Sequence, residues 1–202
     1  MSKPYDSKKY RSKNLVAQAL LFNFETKLIK LIESVSVKTL LDAGCGEGYL
    51  LRVLHERLLA PPELNGFELV PELLEQAKIK LPAAQLWEDN IYASTCKDEA
   101  YELVVCTEVL EHLEDPGKAL SELFRISSRY VIVSVPHEPF FRLSSLLRGK
   151  YLKQFGNHPG HLQLWGRSGF LDLVKAYGTV VAIASPFPWT MVLAEKSQLE
   201  LK

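Results

Sequence analysis

Two short runs hold the residue types that could do chemistry. The first is Leu41-Asp42-Ala43-Gly44-Cys45-Gly46-Glu47-Gly48. Glycine at 44, 46 and 48 lets the backbone take positive φ and approach a ligand with no Cβ in the way. A helix starting near Tyr49 then turns its unpaired N–H groups and positive dipole end toward that ligand. Such a unit cradles a nucleotide. A phosphate-binding loop needs Gly-Lys-Ser/Thr after the turn, and Glu47-Gly48-Tyr49 stands there instead. A dinucleotide fingerprint wants Gly where Tyr49 is. Glu47 would repel a pyrophosphate. A cradle with Asp42 and Glu47 and no dedicated cation suits an amino-acid end or a cationic sulfonium.

The second run is Glu108-Val109-Leu110-Glu111-His112-Leu113-Glu114-Asp115-Pro116. On a helix, positions 108, 111 and 112 share a face, so two carboxylates and an imidazole would converge. That set suits an oxygen-preferring divalent ion such as magnesium, with water and substrate completing the shell. Between the two runs, Glu68 ends an apolar segment twenty residues beyond Gly48. A carboxylate there can accept both hydroxyls of a ribose. Asp89-Asn90 can read an adenine amino group or form an Asx turn.

These residues need elements to hold them. Leu21, Phe24, Leu28 and Leu31 follow helical spacing within a helix from Asn14 to Ser34. Strands are expected at 39–43, 64–69, 85–88, 101–106 and 130–135. Helices are expected at 49–59, 72–80 and 116–127, the last two opened by Pro71 and Pro116. The alternation predicts a doubly wound, mostly parallel sheet, whose ligands lie beyond the carboxyl ends of the strands. Asp42, Glu68, Asp89, Thr107 and Pro136 fall at that edge. A helix at 168–177 and strands at 180–184 and 190–195 complete the chain. The linker Ser185 to Trp189 is too short for a parallel crossover, so the last pair is antiparallel and the sheet seven-stranded. Residues 1–12 read as a flexible arm, 13–36 as a helical cap and 37–200 as one domain.

Composition narrows the class. The 202 residues are 47% apolar, enough for one sizeable core. Lys plus Arg and Asp plus Glu both number 24, so net charge gives no argument for nucleic acid or a membrane surface. The three cysteines include no metal-type pair and read as free thiols in a reducing compartment. The segment Leu15 to Phe22 is broken by Gln18 and is too short and polar to span a bilayer. No signal-peptide pattern is present, and a cytoplasmic protein is expected.

With both runs, Glu68 and Asp89-Asn90 in place, the chain resembles the S-adenosylmethionine-dependent methyltransferase superfamily with a Rossmann-like fold, over about residues 39–195. The resemblance implies that Asp42, Gly44, Cys45, Gly46 and Gly48 hold the methionine moiety. It implies ribose at Glu68 with Leu69, adenine at Asp89 and the Asn90 backbone, and Thr107 near the methionine amino group. The second run resembles the metal site of ubiquinone-pathway O-methyltransferases and of small-RNA 2′-O-methyltransferases, in which a later His completes the shell. Glu108, Glu111, His112 and His161 or His158 are the candidate ligands here. The same run also occurs in the superfamily without a metal, where it shapes the cofactor pocket.

Methyl transfer from a sulfonium needs positioning and exclusion of water, and no covalent residue. If the acceptor is a hydroxyl, a base helps. His112 and His137 are the candidate catalytic residues. Residues 137–165 form an insertion at the ligand edge, with Phe140, Phe141, Arg142, Arg148, Lys150, Tyr151, Lys153 and Phe155. It reads as a lid over the acceptor. The resulting expectation is O-methylation of a small molecule. An RNA 2′-O-methyltransferase is the alternative, favoured by the Glu108/Glu111/His112 set and opposed by neutral charge. A non-catalytic S-adenosylmethionine-binding protein is the second.

Overall fold

A computed structural model describes residues 14–139 and 160–197. The arm expected at residues 1–12 and most of the lid expected at 137–165, with His158, lie outside the described residues. The chain opens with α1 (Leu15–Glu33), capped by Asn14, whose side chain accepts from the Val16 and Ala17 N–H groups. It continues through β1 (Thr39–Ala43), α2 (Tyr49–Arg57), β2 (Glu63–Glu68), α3 (Pro71–Lys80), β3 (Gln85–Glu88) and β4 (Tyr101–Thr107). A 3₁₀ turn at Leu110–His112 precedes α4 (Pro116–Ile126) and β5 (Ser127–Pro136). Helix α5 (Arg167–Lys175) and the hairpin β6 (Gly178–Ala184) and β7 (Trp189–Lys196) follow.

The seven strands form one sheet in the order β3-β2-β1-β4-β5-β7-β6. β1 pairs in parallel with both β2 and β4. β7 runs antiparallel to β5 and β6, so six strands share a direction and β7 opposes them. The chain leaves β1 toward β3 and returns to place β4 on the other side of β1. That reversal opens a crevice at the carboxyl ends of β1 and β4.

Neighbouring residues on β1 fill opposite layers, as strand geometry requires. Leu40 joins Phe24 and Leu28 of α1, Leu51 and Leu54 of α2, Leu103 and Ile132. Leu41 joins Leu120 and Leu123 of α4, Phe170 and Val174 of α5, Val104 and Val131. Each fully buried Leu in these layers contributes about 1.5–3 kcal/mol. No helix among the described residues is long and apolar enough to cross a membrane.

The edge hairpin is held against α4 at Gly178. A Cβ there would sit 2.5 Å from Phe124 Cε1 and 2.7 Å from the Glu195 carbonyl oxygen. The oxygen belongs to the paired strand and cannot yield without breaking the ladder. Gly178→Ala is therefore expected to destabilise the fold by about 1–3 kcal/mol. Denaturant unfolding followed by circular dichroism checks this; an unchanged midpoint would show that β6 can lift off α4.

Candidate functional site

The crevice is built on the turn between β1 and α2. Gly44, Gly46 and Gly48 all have positive φ, at 82°, 56° and 74°. The N–H groups of Gly44 and Cys45 both donate to the Phe67 carbonyl, at 2.9 and 3.0 Å. The end of β1 is thereby stapled to the end of β2. Glu68 follows Phe67, and its carboxylate reaches back into the turn. Oε2 accepts from Gly46 N–H and Oε1 from Val70 N–H, each at 2.9 Å. Gly48 packs so closely on α3 that a Cβ would lie 3.0 Å from Ala77 Cβ. The recess inside the turn is lined by Asp42, Gly44, Cys45, Gly46, Glu47, Tyr49, Leu50 and Thr107.

Most of the residues read from sequence meet here. Asp42, the three glycines, Cys45 and Thr107 share the recess. Glu68 sits at its rim, with the exposed Leu69 beside it. Glu47 behaves differently from its sequence reading. Its carboxylate is buried against Lys80 Nζ at 2.5 Å, and the same ammonium bonds the Glu47 carbonyl. Its charge is spent inside the fold and gives no attraction for a cationic ligand.

Asp42 is only 2% exposed. Burial pushes its carboxyl up to about 7, and the negative Glu68 nearby adds to the rise. Burial also pushes the Cys45 and Cys106 thiols up, so both remain neutral. Among the described residues no Lys or Arg forms an ion pair with Asp42 or Glu68, whereas Glu47 has Lys80.

Asp89 organises its own loop. Oδ2 accepts from Trp87 Nε1, Ser94 Oγ, Thr95 N–H and Thr95 Oγ1, and Oδ1 accepts from Asn90 N–H. Burial alone would raise this carboxyl, but the bonds from Ser94, Asn90, Thr95 and Trp87 outweigh it and hold the group below the usual range. The Asn90 side chain accepts from Tyr92 N–H, an Asx turn. The positions expected from the sequence to read adenine are thus the loop's fasteners.

Beyond β4 the structure departs from the expected helix. Glu108 has φ 59°, a left-handed conformation that is costly for a residue with a Cβ. Helical turns begin only at Leu110, so Glu108 does not share a face with Glu111 and His112. Its carboxylate accepts from Trp189 Nε1 at 2.6 Å and from Ser134 Oγ at 3.4 Å. Trp189, unmarked in the sequence, is buried at the start of β7 and stacks edge-on with Phe24 of α1, centroids 5.2 Å apart.

The remaining candidates do meet. One ligand atom each from Glu111, His112 and His161 lies within 4.8 Å of the others. The Glu111 carbonyl accepts from Leu162 and Gln163 N–H, which pins the segment carrying His161. His112 Nδ1 lies 2.7 Å from the Gly160 carbonyl. A carbonyl only accepts, so Nδ1 carries the proton and Nε2 the lone pair. His137 stands at the end of β5, where its N–H donates to the Pro188 carbonyl.

Known proteins resemble this chain in sequence and fold. A family model described as a methyltransferase domain matches residues 10–182. The ubiquinone biosynthesis O-methyltransferase of Saccharophagus degradans is 26% identical over 164 residues, 71% of this chain and 67% of that protein. The malonyl-[acyl-carrier protein] O-methyltransferase of Serratia marcescens is 29% identical over 111 residues, 55% of this chain and 42% of that protein. This chain thus spans two thirds of the first protein's length and about two fifths of the second's. Magnesium protoporphyrin IX methyltransferase from Synechocystis, solved with bound S-adenosylhomocysteine, superposes with a TM-score of 0.69 at 16% identity, covering 94% of each chain. At that identity it shows the fold: a seven-stranded class I methyltransferase sheet.

The Asp42 environment has a measurable consequence. Folded, its carboxyl holds a proton up to about pH 7; unfolded, it loses the proton near its ordinary value of 3.8. Between those values the folded chain binds more protons, so this group's contribution to stability is lost as pH rises through the window. Ligand-free protein followed by thermal melts from pH 4 to 8 should lose stability with rising pH through this group. Asp42→Asn should flatten that slope. Parallel curves for the two proteins would refute the Asp42 assignment.

Proposed function

This chain belongs to the family of S-adenosylmethionine-dependent methyltransferase domains, and on that premise we propose that it methylates a small-molecule acceptor at oxygen. The observation that carries the cofactor part is the pair of carboxyls, Asp42 in the recess and Glu68 at its rim, which form no ion pair with Lys or Arg among the described residues. A ligand bearing an ammonium and a sulfonium relieves their mutual repulsion; a pyrophosphate increases it. When bound, S-adenosylmethionine supplies a methyl group on a positively charged sulfur.

The chain's residues divide the cofactor among them. Asp42, Thr107 and the turn at Gly44, Cys45, Gly46 and Gly48 receive the amino-acid end. Glu68 keeps lone pairs for ribose hydroxyls beyond its two backbone bonds, and Leu69 packs beside it. Asp89 Oδ1, which keeps a lone pair beyond its bond from Asn90 N–H, takes the adenine amino group, and the Asn90 N–H turns from Oδ1 toward a ring nitrogen when adenine binds. At the acceptor end, the Gly160 carbonyl holds His112 Nδ1, and we assign His112 Nε2 the proton of an acceptor hydroxyl. His137, at the end of β5, is the second base candidate. Relatives named as O-methyltransferases support oxygen as the acceptor atom.

Magnesium does not fit the described residues. Glu108 is engaged by Trp189, which leaves two imidazoles and one carboxylate at Glu111, His112 and His161. Magnesium prefers an all-oxygen octahedron, whereas this donor set suits a borderline first-row ion. A metal reading and the base reading compete for the same His112 Nε2, because one lone pair cannot serve both.

Two measurements test these assignments. Glu68→Ala is expected to weaken S-adenosylhomocysteine binding by about 1–3 kcal/mol in calorimetry, through lost buried hydrogen bonds; unchanged affinity would remove the ribose role. Transfer of a labelled methyl group to a panel of small phenols and hydroxy acids, with and without chelator, tests the rest. The base reading expects transfer that survives chelation and falls about 10²–10⁴-fold in His112→Ala. Loss of transfer on chelation would install a metal at His112. Cofactor binding with no transfer to any acceptor would indicate a binding protein.

A further inference from the structure

One buried acid gives α1 a role. Glu25 is only 7% exposed and lies beside Phe24, Leu28 and Ile29. A carboxylate so placed needs partners for its oxygens, and Glu25 has two of different kinds. Oε2 accepts from Arg57 Nη1 at 2.5 Å, and Arg57 Nη2 donates to Thr26 Oγ1 at 3.0 Å. Those contacts tie α1 to α2 beside the apolar packing of Leu28 and Ile32 on Leu51 and Leu54. Oε1 accepts from the Tyr49 hydroxyl, also at 2.5 Å. That second bond reaches past the helix contact to a residue of the recess.

Tyr49 is the first residue of α2 and lines the recess with Asp42, Gly44 and Thr107. The ring packs against the core layer that α1 and α2 share. Arg52 lies 5.7 Å from the ring centroid and covers a face. The Glu25 bond holds the ring at its hydroxyl end. Resting on the cofactor reading above, we propose that Glu25 is a positioning residue for S-adenosylmethionine. Through the Tyr49 hydroxyl it fixes the ring that walls the amino-acid end of the recess. The cofactor then binds tightly only while α1 is docked.

The two arms of Glu25 can be cut separately. Tyr49→Phe removes the positioning bond and keeps the Arg57 bridge. Glu25→Gln keeps an acceptor for Tyr49 and removes the charge that holds Arg57. Affinity for S-adenosylhomocysteine by calorimetry, and the melting temperature without ligand, are measured for each. Tyr49→Phe is expected to bind about three- to tenfold more weakly with little change in melting. Glu25→Gln is expected to melt earlier and bind within about twofold of wild type, since one arm survives. Glu25→Ala is expected to lose on both measures. Wild-type affinity in Tyr49→Phe would overturn the positioning role and leave the cofactor reading standing. Absence of binding by the wild-type chain itself would overturn both.

Discussion

The Phe67 carbonyl accepts two backbone N–H groups, from Gly44 and Cys45, and the rest of the site hangs on that shared acceptor. Two successive N–H groups can converge on one oxygen only if the chain turns sharply between them. A positive φ at Gly44 provides that turn, and a Cβ there would sit 2.9 Å from Val109 Cγ2. Because the acceptor is on β2, the parallel register of β1 and β2, with Ala43 opposite Phe67, sets where the turn begins. The next residue on β2 is Glu68, so the bond that closes the turn also delivers a carboxylate to it. Glycine loop and Glu68 are one device, joined through a strand pairing.

That device also puts Glu68 near Asp42, where it adds to the rise that burial gives the Asp42 carboxyl. The structure sorts the acids around the recess and on α1 by whether each has its own cation. Glu47 is neutralised by Lys80, and Glu25 of α1 by Arg57. Asp42 and Glu68 form no ion pair with Lys or Arg among the described residues. Asp42 therefore keeps its proton up to about pH 7 in the ligand-free chain. A cation bound in the recess would favour its charged form, and a phosphate would not.

Much of this was legible in the chain because it is local. Alternating apolar runs give the strands, Pro71 and Pro116 mark helix starts, and glycines at every second position announce the turn. Thr107 enters the recess because it ends β4, a consequence of topology alone. What could not be read depends on contacts between distant segments. No local signal marks a left-handed conformation at Glu108, which the Trp189 indole, 81 residues on, holds through its carboxylate. Helical spacing correctly joined Glu111 and His112, but the turn starts two residues later than needed to include Glu108. The Lys80 partner of Glu47 lies at the far end of α3, so Glu47 looked like a ligand-facing charge. Asp89 stood out in the sequence as an acid after β3, but its four donors to Oδ2, one from Trp87 of β3 and three from Ser94 and Thr95 of the loop, follow no short motif.

Helix α1 precedes the repeating strands and helices, yet it touches both ends of the crevice. Successive helical residues point about 100° apart. Phe24 and Glu25 can therefore face different neighbours from a single turn. Glu25 bonds Tyr49 on the cofactor side, while Phe24 stacks on Trp189, whose indole N–H holds Glu108 on the acceptor side. Neither contact requires the other, but both require α1 to lie in one orientation on the sheet. A helix that the parallel sheet does not need for its strand order thus links the wall of the cofactor recess to the backbone leading into Glu111 and His112. Displacing α1 would loosen donor and acceptor ends together, so the two halves of the site share one support.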